Sequence, residues 1–277
     1  MTLSTPAPTP APTLPATRNL FTAAIALAAT AGISLYVFTA QTDRLFAWTI
    51  ASPLTAAFLG ALYLGDIPLL LAVRREPVWA YARAAAWGLL LFTGFSLVAT
   101  VLHLDKFHLG AGPASATLAG WLWMAVYISL PLTGAWLIWR QSRVGGGDPP
   151  ALQPWGAAGR RLHWALAAAA LALGLILLLA PGLNAWPWAL TPLTSRAVSA
   201  RVLAFAGVAF LGARAGDARG QRAAQGSLLV RGALALGALL RYPSELDLTS
   251  AGGLLFTGLC LLAIAAGARG LMNSKPA

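Results

Sequence analysis

Eight apolar runs recur along this chain, over residues 19–40, 52–73, 80–102, 117–139, 162–182, 191–213, 223–240 and 249–268. Wound into a helix rising about 1.5 Å per residue, each is long enough to cross about 30 Å of hydrocarbon. Inside hydrocarbon an unpaired backbone N–H or C=O finds no water, so such runs are stable there only as helices that satisfy their own backbone. A membrane β-barrel would instead need short strands of alternating polarity, and the sequence has none. Composition agrees, with 58% hydrophobic residues, 10% charged residues and a mean hydropathy of +0.71. Soluble chains carry about 25% charged residues. The fold class predicted is an all-α polytopic membrane protein with eight transmembrane helices.

The net charge of +11 invites a nucleic-acid reading, but its distribution follows the membrane. With the N-terminus placed in the cytoplasm, thirteen basic residues fall on that side, among them Arg18, Arg74, Arg75, Arg83, Arg140, Arg143, Arg160 and Arg161. Only Arg44, Lys106 and Arg241 fall on the other. This asymmetry is the positive-inside pattern and puts both termini in the cytoplasm. With no basic soluble module, no nucleic-acid partner is expected; the partner is the lipid bilayer. Arginine outnumbers lysine 17 to 2, a composition that fits a GC-rich bacterial genome and hence the inner (plasma) membrane. The single cysteine, Cys260, rules out an intramolecular disulfide. The first 18 residues, rich in Pro, Thr and Ala, are predicted to form a disordered cytoplasmic tail.

Sliding the chain against itself by 139 residues aligns Pro53-Leu54-Thr55 with Pro192-Leu193-Thr194, Arg75 with Arg214, and Arg83-Ala84-Ala85 with Arg222-Ala223-Ala224. Residues 53–102 carry 13 identities in this ungapped register, against roughly 5 from composition alone. The expected organisation is therefore two parallel four-helix repeats, 19–139 and 162–277, joined by a cytoplasmic linker over 140–161. An even number of helices per half gives both the same orientation, related by an axis along the membrane normal. In both copies a helix start is written out. Ser52 and Thr191 are N-cap residues, and Pro53 and Pro192 take the first helical position, where a missing N–H costs nothing. Phe46 and Trp48 in one copy, and Trp186 and Trp188 in the other, are expected in the external aromatic belt, and Trp121, Trp123, Trp136 and Trp139 bracket the fourth span and read as interfacial anchors.

Charges within the spans are candidates for function. Asp66 lies 13 residues beyond Pro53, about 20 Å along its helix. Arg201 and Arg231 also fall deep, and Arg196 lies one turn into its helix. Under the repeat they face Phe205, Leu62, Phe92 and Ala57, so they mark where the two copies diverged. Asp66, Arg196, Arg201 and Arg231 are the predicted substrate-binding residues, for a small anionic or amphipathic solute or a lipid headgroup. Pro68, opposite Gly207 in the repeat, is a predicted break in the second helix; paired breaks of this kind point to a transport site.

The loop HLDKFH offers His103, Asp105 and His108 as candidate metal ligands. His163 and His103 lie at opposite depths and cannot sandwich one haem. No nucleophile–base set or phosphate-binding glycine loop is written in the sequence, so neither a cofactor nor a catalytic residue is assigned. The leading expectation is transport or permeation between the halves, followed by a lipid-binding or assembly scaffold, with a membrane-embedded enzyme third. Nothing in the sequence specifies an oligomeric state.

Overall fold

The structure, a computed structural model, describes residues 9–110, 112–151, 153–183, 185–217 and 222–272. Among the described residues the α-helices are α1 (Pro15–Val37), the short α2 (Thr42–Leu45), α3 (Pro53–Arg75), α4 (Trp79–Val101), α5 (Ala114–Gln141), α6 (Ala157–Leu179), α7 (Pro192–Ala215), α8 (Arg222–Arg241) and α9 (Ala251–Met272). Short 3-10 turns lie between them. Apart from α2, all are long and apolar enough to cross a membrane, and the chain is a multi-pass integral membrane protein.

The helices do not pack in chain order. Helix α1 lies along α3, α3 along α8, and α8 along α9. Separately, α6 lies along α7, α7 along α4, and α4 along α5. The sequence neighbours α3 and α4 barely touch. Helix α3 is the most enclosed, with every side chain from Leu54 to Tyr63 buried. The peripheral helices α5, α6 and α9 turn Leu118, Leu132, Leu179, Leu254 and Leu262 outward, which suits contact with lipid rather than water. Close approach depends on missing side chains: a Cβ at Gly60 would lie 2.6 Å from the Tyr36 amide nitrogen of α1. Such small-residue contacts are how membrane helices gain packing energy without a hydrophobic drive between them.

Three expectations need correcting. The tail expected to be disordered over 1–18 is ordered from residue 9; residues 1–8 lie outside the described residues. Ala11 donates to the Gly147 carbonyl, Thr13 to Pro77 and Trp79 back to Ala11, at 2.8–3.2 Å. The buried Gln141 side chain accepts from the Leu14 amide at 3.0 Å and donates to the Pro12 carbonyl at 2.8 Å. Residues 9–14 are thus strapped to the ends of α3 and α5, because backbone pairing and one amide side chain compensate for their poor apolar content.

Second, the aromatic residues before the two caps are not a lipid-facing belt. Trp48 is only 3% exposed and packs edge-on against Phe46 and Trp123, with Phe107 beside it. Trp188 is also buried; it meets Phe58 and Phe256 edge-on and donates its indole N–H to Thr55 at 2.9 Å. Trp186 packs against the same pair. The loops that carry these rings fold over the bundle, and edge-to-face packing exceeds what the lipid boundary offers. Third, Trp123, which sequence reading placed among the interfacial anchors of its helix, stacks on Tyr127 at 4.0 Å.

Candidate functional site

The repeated cap phrase sets α3 and α7 in place. The Ser52 hydroxyl accepts from the Thr55 amide at 3.0 Å, and the Thr191 hydroxyl from the Thr194 amide at 3.2 Å. Pro53 and Pro192 follow at the first helical position. At α3 a partner that sequence reading missed completes the cap. Glu245, from the loop after α8, accepts from the Ser52 hydroxyl with one carboxylate oxygen and from the Leu54 amide, at 3.2 Å, with the other. An anion at a helix N-terminus meets unpaired amides and the positive end of the helix dipole.

Four turns along, α3 runs on through Pro68 rather than breaking there as predicted, although the proline has no N–H to give. The next amide, Leu69, donates to the Ser227 hydroxyl of α8, at 3.0 Å. The same contact brings Gly65 against α8 so closely that a Cβ there would lie 2.7 Å from the Arg231 Cβ. The Leu69–Ser227 bond and the glycine together seat α8 against α3 at the level of Asp66. Ser227 and Gly65 were not singled out from the sequence, since a Ser in an apolar run signals nothing until its partner helix is known.

Asp66 takes both deep arginines. One carboxylate oxygen pairs with the Arg201 guanidinium of α7 and the other with the Arg231 guanidinium of α8. The side chains are 21%, 13% and 29% exposed respectively, so three helices meet in a mostly enclosed charge cluster. Two guanidiniums against one carboxylate leave a formal surplus of one positive charge, and the buried Arg231 Nε has no partner among the described residues. Arg201 also lies flat on aromatic faces, 3.4 Å from the Phe92 ring centroid and 4.3 Å from that of Tyr63. Such stacking stabilises a partly desolvated cation. The Tyr63 hydroxyl in turn shares a hydrogen with the Tyr127 hydroxyl of α5 at 2.5 Å. A polar line therefore runs from Arg231 through Asp66, Arg201 and Tyr63 to Tyr127, across five helices counting Phe92 on α4.

The fourth predicted binding residue stands apart. Arg196 donates through Nε to the Leu178 carbonyl at the end of α6, at 3.1 Å, and through Nη1 to His103 Nε2 at 2.7 Å. A guanidinium only donates, so His103 accepts there as the neutral ring. Burial, followed by the nearby Arg196 charge, holds the His103 pKa below the usual histidine value, against a smaller opposing pull from Asp105.

The predicted metal site is not assembled. His108 donates from Nδ1 to the Phe46 carbonyl at 2.9 Å and pairs through Nε2 with Thr49 at 3.1 Å. Asp105 pairs with its neighbour Lys106 at 2.8 Å. With His103 turned to Arg196, each candidate ligand serves a different partner, and among the described residues no His, Cys, Asp or Glu group is arranged to hold a metal ion. Proximity in sequence did not become convergence because the loop turns through a 3-10 segment, Leu104–Lys106.

Beside the polar line lies a cavity of about 110 Å³ between α1 and α5. Leu27, Thr30 and Ala31 of α1 face Ala119, Leu122 and Val126 of α5, and the buried Tyr63 and Tyr127 lie at its inner end. Leu122 and Leu45, both exposed, lie at its rim. Comparison with known protein families, curated proteins and solved structures finds no match to this chain.

Proposed function

We propose that this membrane protein binds a small anionic or amphipathic solute at the Asp66–Arg201–Arg231 centre and lets it cross the bilayer, without catalysing a reaction. The observation that carries this reading is the convergence of two guanidiniums on one carboxylate at the meeting of α3, α7 and α8. Charges are rare in hydrocarbon and costly to keep there. A positive surplus beside an unpartnered guanidinium N–H is chemistry suited to an anion. Asp66 holds the arginines when the site is closed, and the anionic group of the solute competes for them.

The proposal includes two parallel four-helix halves, α1–α5 and α6–α9. The helix packing supports it: α1 on α3 corresponds to α6 on α7, α3 on α8 to α7 on α4, and α4 on α5 to α8 on α9. Each half lends its central helix to the other, so the halves interleave and the charge centre draws on both. Both termini face the cytoplasm of a bacterial cell in this reading, from the arginine asymmetry.

The test uses phosphatidylcholine vesicles containing the purified chain. Efflux of acetate, phosphate and chloride is compared with protein-free vesicles and with Arg231→Gln. Arg231→Cys, in a Cys260→Ser background, is treated with a charged, water-soluble thiosulfonate. Faster efflux that Arg231→Gln lowers, with a reactive thiol at 231, supports the reading. Protein-free efflux rates together with an unreactive thiol would sink it. The runner-up, a lipid-binding scaffold, is favoured by the apolar cavity between α1 and α5.

A further inference from the structure

Arg196 and His103 meet near the start of α7, guanidinium Nη1 to imidazole Nε2 at 2.7 Å, and neither belongs to the Asp66 centre. We propose that the pair is a second anion-binding site, which takes a small carboxylate together with one proton. The carboxylate sits between the guanidinium and the protonated imidazole and accepts N–H bonds from both. The site goes beyond the reading of the Asp66–Arg201–Arg231 centre and does not depend on it.

The donors select the ligand. Arg196 is anchored through Nε to the Leu178 carbonyl at 3.1 Å. Its Nη1 gives one hydrogen to His103, and its Nη2 has no hydrogen-bond partner among the described residues. The two terminal nitrogens make a planar fork that matches the two oxygens of a carboxylate. Only the His103 lone pair occupies that fork. Once Nε2 carries a proton it accepts nothing, the two cations repel, and the ring becomes a further donor beside the fork. Both side chains are half-buried, so a dissolved anion can reach them.

No protein group nearby answers the second charge. Asp105, on the same loop as His103, already pairs with Lys106 at 2.8 Å. His108 is held by the Phe46 carbonyl and Thr49. Residues 84–102, 109–126 and 164–195, which supply the rest of α4, α5, α6 and the start of α7 on this side, contain no charged residue. Burial first, and the Arg196 charge second, therefore hold the His103 pKa below the usual histidine value. A bound anion reverses the second effect, and by reciprocity the proton tightens anion binding by the same factor. Holding the helices together needs no charge at this place. In the register of the repeat the corresponding residues are Ala57 and Tyr242, and Tyr242 bonds the neutral Thr39 hydroxyl.

The full chain, carrying isotope-labelled histidine, is placed in phosphatidylcholine nanodiscs. Its imidazole nitrogen signals are followed against pH in sodium chloride and in sodium formate of equal ionic strength. His103→Gln identifies the His103 signal among the three histidines. The His103 pKa is expected below the usual value in chloride and about one pH unit or more higher in saturating formate. That rise corresponds to about tenfold tighter formate binding by the protonated pair. His108 and His163 should titrate alike in both salts. Arg196→Lys keeps the charge and loses the fork, and should remove most of the formate-specific rise. Identical His103 titrations of the parent chain in the two salts overturn the proposal, whether or not the variant folds. A formate-specific rise that survives in Arg196→Lys overturns the fork. Vesicle efflux reads the Asp66–Arg201–Arg231 centre separately, so either site can fail while the other stands.

Discussion

The hydroxyl of Ser227 accepts the amide hydrogen of Leu69 at 3.0 Å, immediately past Pro68 in α3. Ser227 is itself buried, so the amide beside the proline is met by a neighbouring helix rather than by water. Ser227→Ala removes this interhelical partner of the Leu69 amide and should destabilise the protein by about 1–3 kcal/mol. Pro68→Ala lets α3 make its regular bond and should tolerate Ser227→Ala better than the parent chain does. Thermal unfolding in detergent of the two single variants and the double variant checks the coupling; additive losses would refute it.

Removing Asp66 strands two cations. Asp66→Asn should cost about 3 kcal/mol, the lower end of the range for breaking a buried ion pair, since the cluster retains some exposure. Asp66→Leu combined with Arg201→Met and Arg231→Met should recover much of that loss, because an apolar replacement of all partners removes the desolvation cost together with the attraction. The melting temperatures of the single and triple variants decide it. The triple variant should at the same time lose anion efflux.

His103 couples stability to acid. Its pKa lies below the usual value in the folded chain, through burial first and the Arg196 charge second. The unfolded chain therefore binds the proton more readily, and stability rises with pH across the window between the lowered pKa and about 6.5. The contribution is complete above that window and is lost as pH falls through it, when the protonated ring can no longer accept from Arg196. His103→Gln keeps an acceptor without a titration, so its melting temperature should fall less between neutral pH and pH about 5. Parallel pH profiles of parent and variant would refute the coupling.

Glu245 links the loop after α8 to the start of α3. Glu245→Ala removes both bonds and should destabilise by about 1–2 kcal/mol. Glu245→Gln, which still accepts but carries no charge, should lose less. Hydrogen exchange at the amides of Leu54 and Thr55 reads the cap directly, and protection there unchanged in Glu245→Ala would show that Ser52 alone caps the helix.

Sequence by itself determined that the chain is helical and crosses the membrane, and it located the spans. Eight apolar runs of this length have one stable form in hydrocarbon, because the backbone must bond within its own helix. The two Ser/Thr-Pro starts were legible for the same local reason: a cap and its amide are three residues apart. Depth along a helix is also a linear quantity, so Asp66, Arg201 and Arg231 could be identified as buried charges.

Which charges meet was decided by tertiary structure. Asp66 joins Arg201 and Arg231 because α3 packs on α8 and reaches α7, not because of any spacing between them in sequence. Arg196, five residues before Arg201, instead turns to His103 and the end of α6. One residue of helix rotates a side chain by about 100° around the axis, so neighbours in sequence serve different partners. His103 and His108 parted because the loop between them turns through a 3-10 segment, and Trp48 went inside because its own loop folded over the bundle. Helix–helix contacts in a membrane are chosen by shape and by buried polar groups rather than by hydrophobicity, and shape belongs to pairs of helices that no single run of sequence describes.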